Sequence, residues 1–233
     1  MSDLPKKQPG FTLLELLVSM TLFAAIAGLL MTSFFNFQGI GQKVEDKLKM
    51  RQELRNLETL VREDLANVVY LEHYSVGTAE SPRPSGIRGT DAQESGLNQD
   101  RLDLQVHSRG RFFTSFKRSV NPELFEVSYY FDRDDQGVIG FYRREAYFID
   151  GPIESGGEGI THRLSTHLTE MNLTYYDQAG ATTPAWVSRK KAALPTGIDV
   201  QLTLKGESGE SFSQSFTVNV HPSMGPGVVW GRP

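Results

Sequence analysis

The stretch Gly10-Phe11-Thr12-Leu13-Leu14-Glu15-Leu16-Leu17-Val18-Ser19-Met20, GFTLLELLVSM, places one glutamate near the start of a run that otherwise carries no charge from Phe11 to Phe37. From Leu16 to Phe35 the chain continues LLVSMTLFAAIAGLLMTSFF, about twenty residues, the length a helix needs to cross a hydrocarbon layer roughly 30 Å thick. An acidic side chain at the centre of such a helix costs about 2.5–3.5 kcal/mol. Glu15 therefore needs a partner, a shallow position or a role.

A soluble helix so long and apolar all round is unusual. An ordinary secretory signal carries small residues for cleavage behind its apolar core. Here the basic pair Lys6-Lys7 stands first, and the glycine that invites cleavage, Gly10, lies before the apolar run. Cleavage at that point releases MSDLPKKQPG and leaves the hydrophobic helix on the mature chain.

Composition narrows the classes. The chain has 233 residues, a formal net charge of -4, 39% hydrophobic residues and no cysteine. That length allows one sizeable core, and the lack of cysteine excludes a disulfide framework and a cysteine-built metal site. With Lys+Arg at 24 against Asp+Glu at 28, no basic excess draws the chain onto nucleic acid.

Lys6 through Glu15, followed by the uninterrupted apolar helix, resembles the class III leader of type IV pilins and type II secretion pseudopilins. A short basic leader, Gly then Phe, Glu at the fifth position after the Gly, and the spanning run all occur in order. The resemblance implies cleavage between Gly10 and Phe11 by a prepilin peptidase on the cytoplasmic side, then N-methylation of Phe11. It also implies that Glu15 meets the Phe11 amine of a neighbouring subunit and sets the register of stacked helices during filament assembly. Within one chain the new amine and Glu15 also lie one helical turn apart. The plainer alternative is a shallow glutamate at a helix N-terminus, where the macrodipole favours an anion by some tenths of a kcal/mol.

Charge alone gives no orientation, because Lys43, Lys47, Lys49 and Arg51 follow the span just as Lys6 and Lys7 precede it. The resemblance puts the leader in the cytoplasm and the rest of the chain across the inner membrane, a single-pass protein with a periplasmic C-terminal domain.

Beyond the span, Val44, Leu48, Leu54, Leu57, Val61, Leu65 and Val68 recur at helical spacing, predicting an amphipathic helix whose stripe packs on a sheet. Asn36, Gly39 and Gly41 mark a join where a bend or local melting is expected. Residues 75–100 are rich in Gly, Pro and Ser and read as a long variable loop. Alternating Leu102-Leu104-Val106, Phe125-Val127-Tyr129-Phe131, Met171-Leu173-Tyr175, Ile198-Val200-Leu202-Leu204 and Phe216-Val218-Val220 predict strands. Turns at Asp132–Gly137 and Gly206–Gly209 make the pairing antiparallel. The predicted organisation is leader 1–10, transmembrane helix 11–37, amphipathic helix 38–74, loop 75–100, antiparallel β domain 101–221 and flexible tail 222–233.

This order, an α+β arrangement of one long helix packed on antiparallel sheet, resembles the pilin fold. More narrowly it resembles the J-type minor pseudopilins of type II secretion, on Glu53–Val69 (ELRNLETLVREDLANVV), Phe125–Glu145, Leu168–Gly180 followed by Trp186, and Ala193–Leu204. The resemblance implies a structural subunit at or near the tip of a periplasmic pseudopilus that helps export folded proteins. The partners it implies are other minor pseudopilins, the major pseudopilin and the prepilin peptidase/methyltransferase. A minor type IV pilin in pilus initiation, adhesion or DNA uptake is the alternative.

Catalytic chemistry finds little support. His73, His107, His162, His167 and His221 are scattered, without the spacing of a catalytic cluster. Asp132-Arg133-Asp134-Asp135-Gln136-Gly137 begins like a calcium loop, yet its twelfth position is Arg143 where a bidentate glutamate is needed. No glycine-rich phosphate cradle follows a strand, so no enzyme, metal or cofactor is expected.

Overall fold

A computed structural model describes residues 12–70, 86–107, 124–146, 159–191, 193–206 and 209–221, with side chains 36–43, 124, 189 and 190 left out. The chain divides into two units, residues 1–48 and 49–233. Helix α1, Leu13–Ala66, contributes to both.

In the first unit, Leu13–Phe35 is a 23-residue apolar helical stretch long enough to cross a membrane. Its large side chains, Leu17, Phe23, Leu29 and Phe34 among them, are exposed. The hydroxyls within it are satisfied by the helix itself. Ser19 Oγ donates to Glu15 O at 2.7 Å, Thr21 Oγ1 to Val18 O at 2.9 Å and Thr32 Oγ1 to Gly28 O at 2.9 Å. In hydrocarbon, where no water can serve them, that back-bonding removes three otherwise costly groups. The backbone stays helical through Asn36, Gly39 and Gly41, so the helix does not melt at that join.

In the second unit, α1 presents Met50, Leu54, Leu57, Val61 and Leu65 to the core. Val44 and Leu48, which the sequence pattern assigns to the same stripe, fall in the first unit and are exposed. The helix stops at Ala66, earlier than residue 74, and its last turn tightens through Asn67 N–H to Asp64 O at 3.2 Å and Val68 N–H to Leu65 O at 3.4 Å. Val68 keeps its place in the apolar pattern but as extended chain bridged to Val106.

Two antiparallel sheets share this core. The larger runs in the order β10 (Trp186–Val187), β1 (Ile87–Thr90), β4 (Arg101–His107), β5 (Leu124–Arg133), β6 (Ile139–Ala146), β7 (Ile160–Ser165). The smaller runs β12 (Ser211–Asn219), β11 (Gly197–Lys205), β8 (Leu168–Tyr176), β9 (Thr182–Thr183). A two-stranded ribbon, β2 (Gln93–Glu94) with β3 (Leu97–Asn98), and a short α2 (Ser188–Lys191) complete the described elements. The helix packed on antiparallel sheets is the α+β, pilin-like arrangement.

The reading of 75–100 as loop is corrected for its second half, which holds β1, β2 and β3. Ser95 and Gly96, with φ of 54° and 81°, make the two-residue turn between β2 and β3, since both positions lie in the left-handed region. β1 is short, and β4 and β10 supply its partners. Its Gly89 is dictated by contact: a Cβ there would stand 1.8 Å from the Tyr175 hydroxyl.

Candidate functional site

Helix α1 opens on a reciprocal cap. Thr12 precedes the first helical residue, and its amide and hydroxyl both donate to Glu15 Oε2, at 3.2 and 3.1 Å. The Glu15 amide donates back to Thr12 Oγ1 at 3.3 Å. This T-x-x-E arrangement satisfies amides that a helix start leaves without partners, and it sets a carboxylate on the positive end of the dipole. Thr12 was missed as a functional position by charge reasoning, although T-x-x-E before an apolar run is itself a sequence signal. Gly10 and Phe11, the predicted cleavage pair, lie outside the described residues, as do the leader and the 222–233 tail.

In the second unit a charged cluster lies inside the core. Asp64 on α1 and Tyr129, Arg143 and Glu145 on β5 and β6 are all at most 2% exposed. Asp64 Oδ2 accepts from Tyr129 Oη at 2.5 Å and from Arg143 Nε at 2.9 Å. Arg143 also donates through Nη1 to Glu145 Oε2 at 2.5 Å. β6 turns Phe141, Arg143 and Glu145 to one face, so its pleat delivers the arginine to the helix. Burial works against the guanidinium charge, but the Asp64 and Glu145 carboxylates that it bonds favour it, and the Arg143 pKa is raised. Burial and the Asp64 charge push the Tyr129 hydroxyl well above its ordinary range, so it serves as a neutral donor. The arrangement holds α1 to the larger sheet.

The same helix is fixed to the smaller sheet by surface groups. Arg62 Nη1 donates to Thr217 O at 2.8 Å, lies 4.5 Å over the Phe216 ring and pairs with Glu58 at 2.7 Å. Gln214 Nε2 donates to Glu58 Oε2. His167 Nδ1, in the turn between β7 and β8, lies 3.1 Å from Glu53 Oε2. The histidines are not gathered. His107 and His162 lie on β4 and β7, His221 follows β12, and His73 lies outside the described residues.

The acidic turn before β6 is closed by its own chain. Asp134 Oδ1 accepts from the amides of Gln136 and Val138, at 3.0 and 2.9 Å, and Arg163 donates to Oδ2 at 2.9 Å. Among the described residues no three metal-ligating side chains gather at one point.

A capped apolar N-terminal helix, followed by helix packed on antiparallel sheets, defines the pilin-like class of membrane-anchored subunits. Within that class, a family model described as type II secretion system (T2SS), protein J, matches residues 33–213, and a prokaryotic N-terminal methylation motif matches residues 5–31. The chain belongs to the protein J family, the J-type minor pseudopilins of type II secretion, and carries a prepilin-type signal. No curated protein matches it.

Proposed function

We propose that this chain sits at or near the tip of a short periplasmic pseudopilus and helps drive folded proteins across the outer membrane. One observation carries the reading: the methylation motif at 5–31 and the protein J match at 33–213 occur on a single chain. Its partners on this reading are other minor pseudopilins and the major pseudopilin. It is anchored in the inner membrane by the helix from residue 11 to about 37, with the β domain in the periplasm.

Maturation removes residues 1–10, leaving a new amine on Phe11 that is then methylated. Glu15, already the acceptor of the Thr12 cap, offers its carboxylate to the amine of a neighbouring helix. A charge pair of this kind offsets the cost of either group in a low dielectric.

The test has two readouts. Intact mass should show a chain beginning at methylated Phe11, and Gly10→Val should retain the leader. A strain lacking the chain should stop exporting a folded reporter and regain export when the chain is restored. Full export without it, alongside loss of pilus assembly, would make it a minor type IV pilin instead.

A further inference from the structure

Among the described residues β12 is an edge strand without the usual protection. It pairs with β11 over nine consecutive residues, Gly197↔Asn219 to Lys205↔Ser211, with no register shift. Its sequence, SFSQSFTVN, contains no charge and no proline, and no bulge twists it. Natural edges are blunted by those devices, and a long flat neutral edge is a template for another strand.

The direction of its backbone groups is fixed by three bonds. Glu210 O accepts from Gly206 N–H and Val220 N–H donates to Thr196 O, so even-numbered residues face the β11 side. Thr217 O instead accepts from Arg62. The odd-numbered residues therefore aim their N–H and C=O groups outward. Among the described residues, Arg62 caps that edge only at Thr217, which leaves Ser211, Ser213 and Ser215 open.

Helix α1 flanks this edge and gives it a charge. Glu58 and Arg62 sit against Gln214 and Thr217. One and two turns earlier on the same stripe stand Arg55 and Arg51, both exposed and without a carboxylate partner among the described residues. A strand entering beside Ser211–Ser215 would run along these cations.

We propose that the β12 edge at Ser211–Ser215, flanked by Arg51 and Arg55, is a strand-addition site for an extended acidic segment of a neighbouring pseudopilin. Backbone hydrogen bonds supply the attachment, and the arginines select the partner's acidic side chain. This inference rests on the pseudopilin assignment above.

The experiment uses the full chain in membranes that also carry the other pseudopilins of its secretion system. A photo-cross-linking residue is placed at Ser211, at Ser215, and, as a control on the same sheet face, at Gln201. Adducts to one pseudopilin are expected from 211 and 215 and not from 201, with the linked peptide containing Asp or Glu. Ser213→Pro removes an outward N–H, which edge strands tolerate, together with the hydroxyl bond to Thr203 Oγ1 at 3.0 Å, and should cut the adduct at least tenfold. Ser213→Lys, should the proline variant fail to fold, and Arg51→Glu with Arg55→Glu should do the same.

Pseudopilins that co-purify without any adduct from 211 or 215 would overturn the edge assignment and leave the function standing. Adducts only to a second copy of this chain, or only to a peptide without Asp or Glu, would overturn the stated occupant. Absence of every pseudopilin from the purified wild-type complex would instead remove the underlying functional reading.

Discussion

Thr12 and Glu15 hold one another across the first turn of α1, two bonds running to the Glu15 carboxylate and one returning to the Thr12 hydroxyl. The cap and the charge of Glu15 are separable. Glutamine retains the capping-box acceptor but has no charge to offer a neighbour. Glu15→Gln should leave insertion and leader removal intact while reducing incorporation into the filament at least tenfold, as read by cross-linking between cysteines along the helices. Equal incorporation would confine Glu15 to capping. Thr12→Ala, by contrast, should cost about 1 kcal/mol of helix stability and leave the charge in place.

Replacing Arg143 by methionine strands two buried carboxylates. Asp64 and Glu145 are then left without their common cation, and loss of one member of such a cluster costs about 3–5 kcal/mol. Chemical unfolding of the full chain in detergent, followed by tryptophan fluorescence, should show that loss. Adding Asp64→Asn and Glu145→Gln should recover much of it, and a triple variant no more stable than Arg143→Met would contradict the account.

The Asp134 turn should weaken in acid. Hydrogen bonds from the Val138 and Gln136 amides and the Arg163 pair hold its pKa below the 3.8 of a free aspartate. A lowered folded pKa gives stability that is complete above the unfolded value and disappears as pH falls through the folded one. Carboxyl NMR should place the Asp134 midpoint below 3.8. Asn at 134 keeps an acceptor for the two amides and should abolish this acid dependence. A midpoint at or above the free value would contradict the geometry.

Gly89→Ala tests the contact between β1 and the second sheet. The added methyl would meet the Tyr175 hydroxyl at 1.8 Å, and that ring is fully buried. Overpacking of this kind costs about 1–3 kcal/mol. Pairing the change with Tyr175→Leu should restore much of the stability in the same unfolding assay.

The residues that were legible are those whose local pattern equals their environment. Met171, Leu173 and Tyr175, or Ile198, Val200, Leu202 and Leu204, alternate in the chain and lie buried on one face, so period two sufficed. The apolar helix announced itself by length. β1 and β10 could not be read in this way, because strands of four and two residues take their form from partners distant in sequence. Arg143 and Glu145 are polar at core-facing positions, and their partner Asp64 lies 79 residues away from Arg143. Arg143-Arg144-Glu145 therefore looks like a solvated strand face. Val44 and Leu48 show the reverse error, an apolar spacing without burial. At the N-terminus, Thr12 carries no charge and does not interrupt the apolar run, so only its T-x-x-E spacing to Glu15 marks it as the residue that donates to that carboxylate.

The attachments of α1 also determine how the β domain would bear a load. Glu53, Glu58, Arg62 and Asp64 anchor successive turns of the helix to His167, Gln214, Thr217 and Arg143. A force along the helix axis is thereby shared among several bonds spaced along it and does not fall on any one of them in turn. Joints loaded side by side yield together and at higher force than joints opened in sequence. Within the second unit, the part of the helix from residue 49 onward and the sheets therefore act as one body under load.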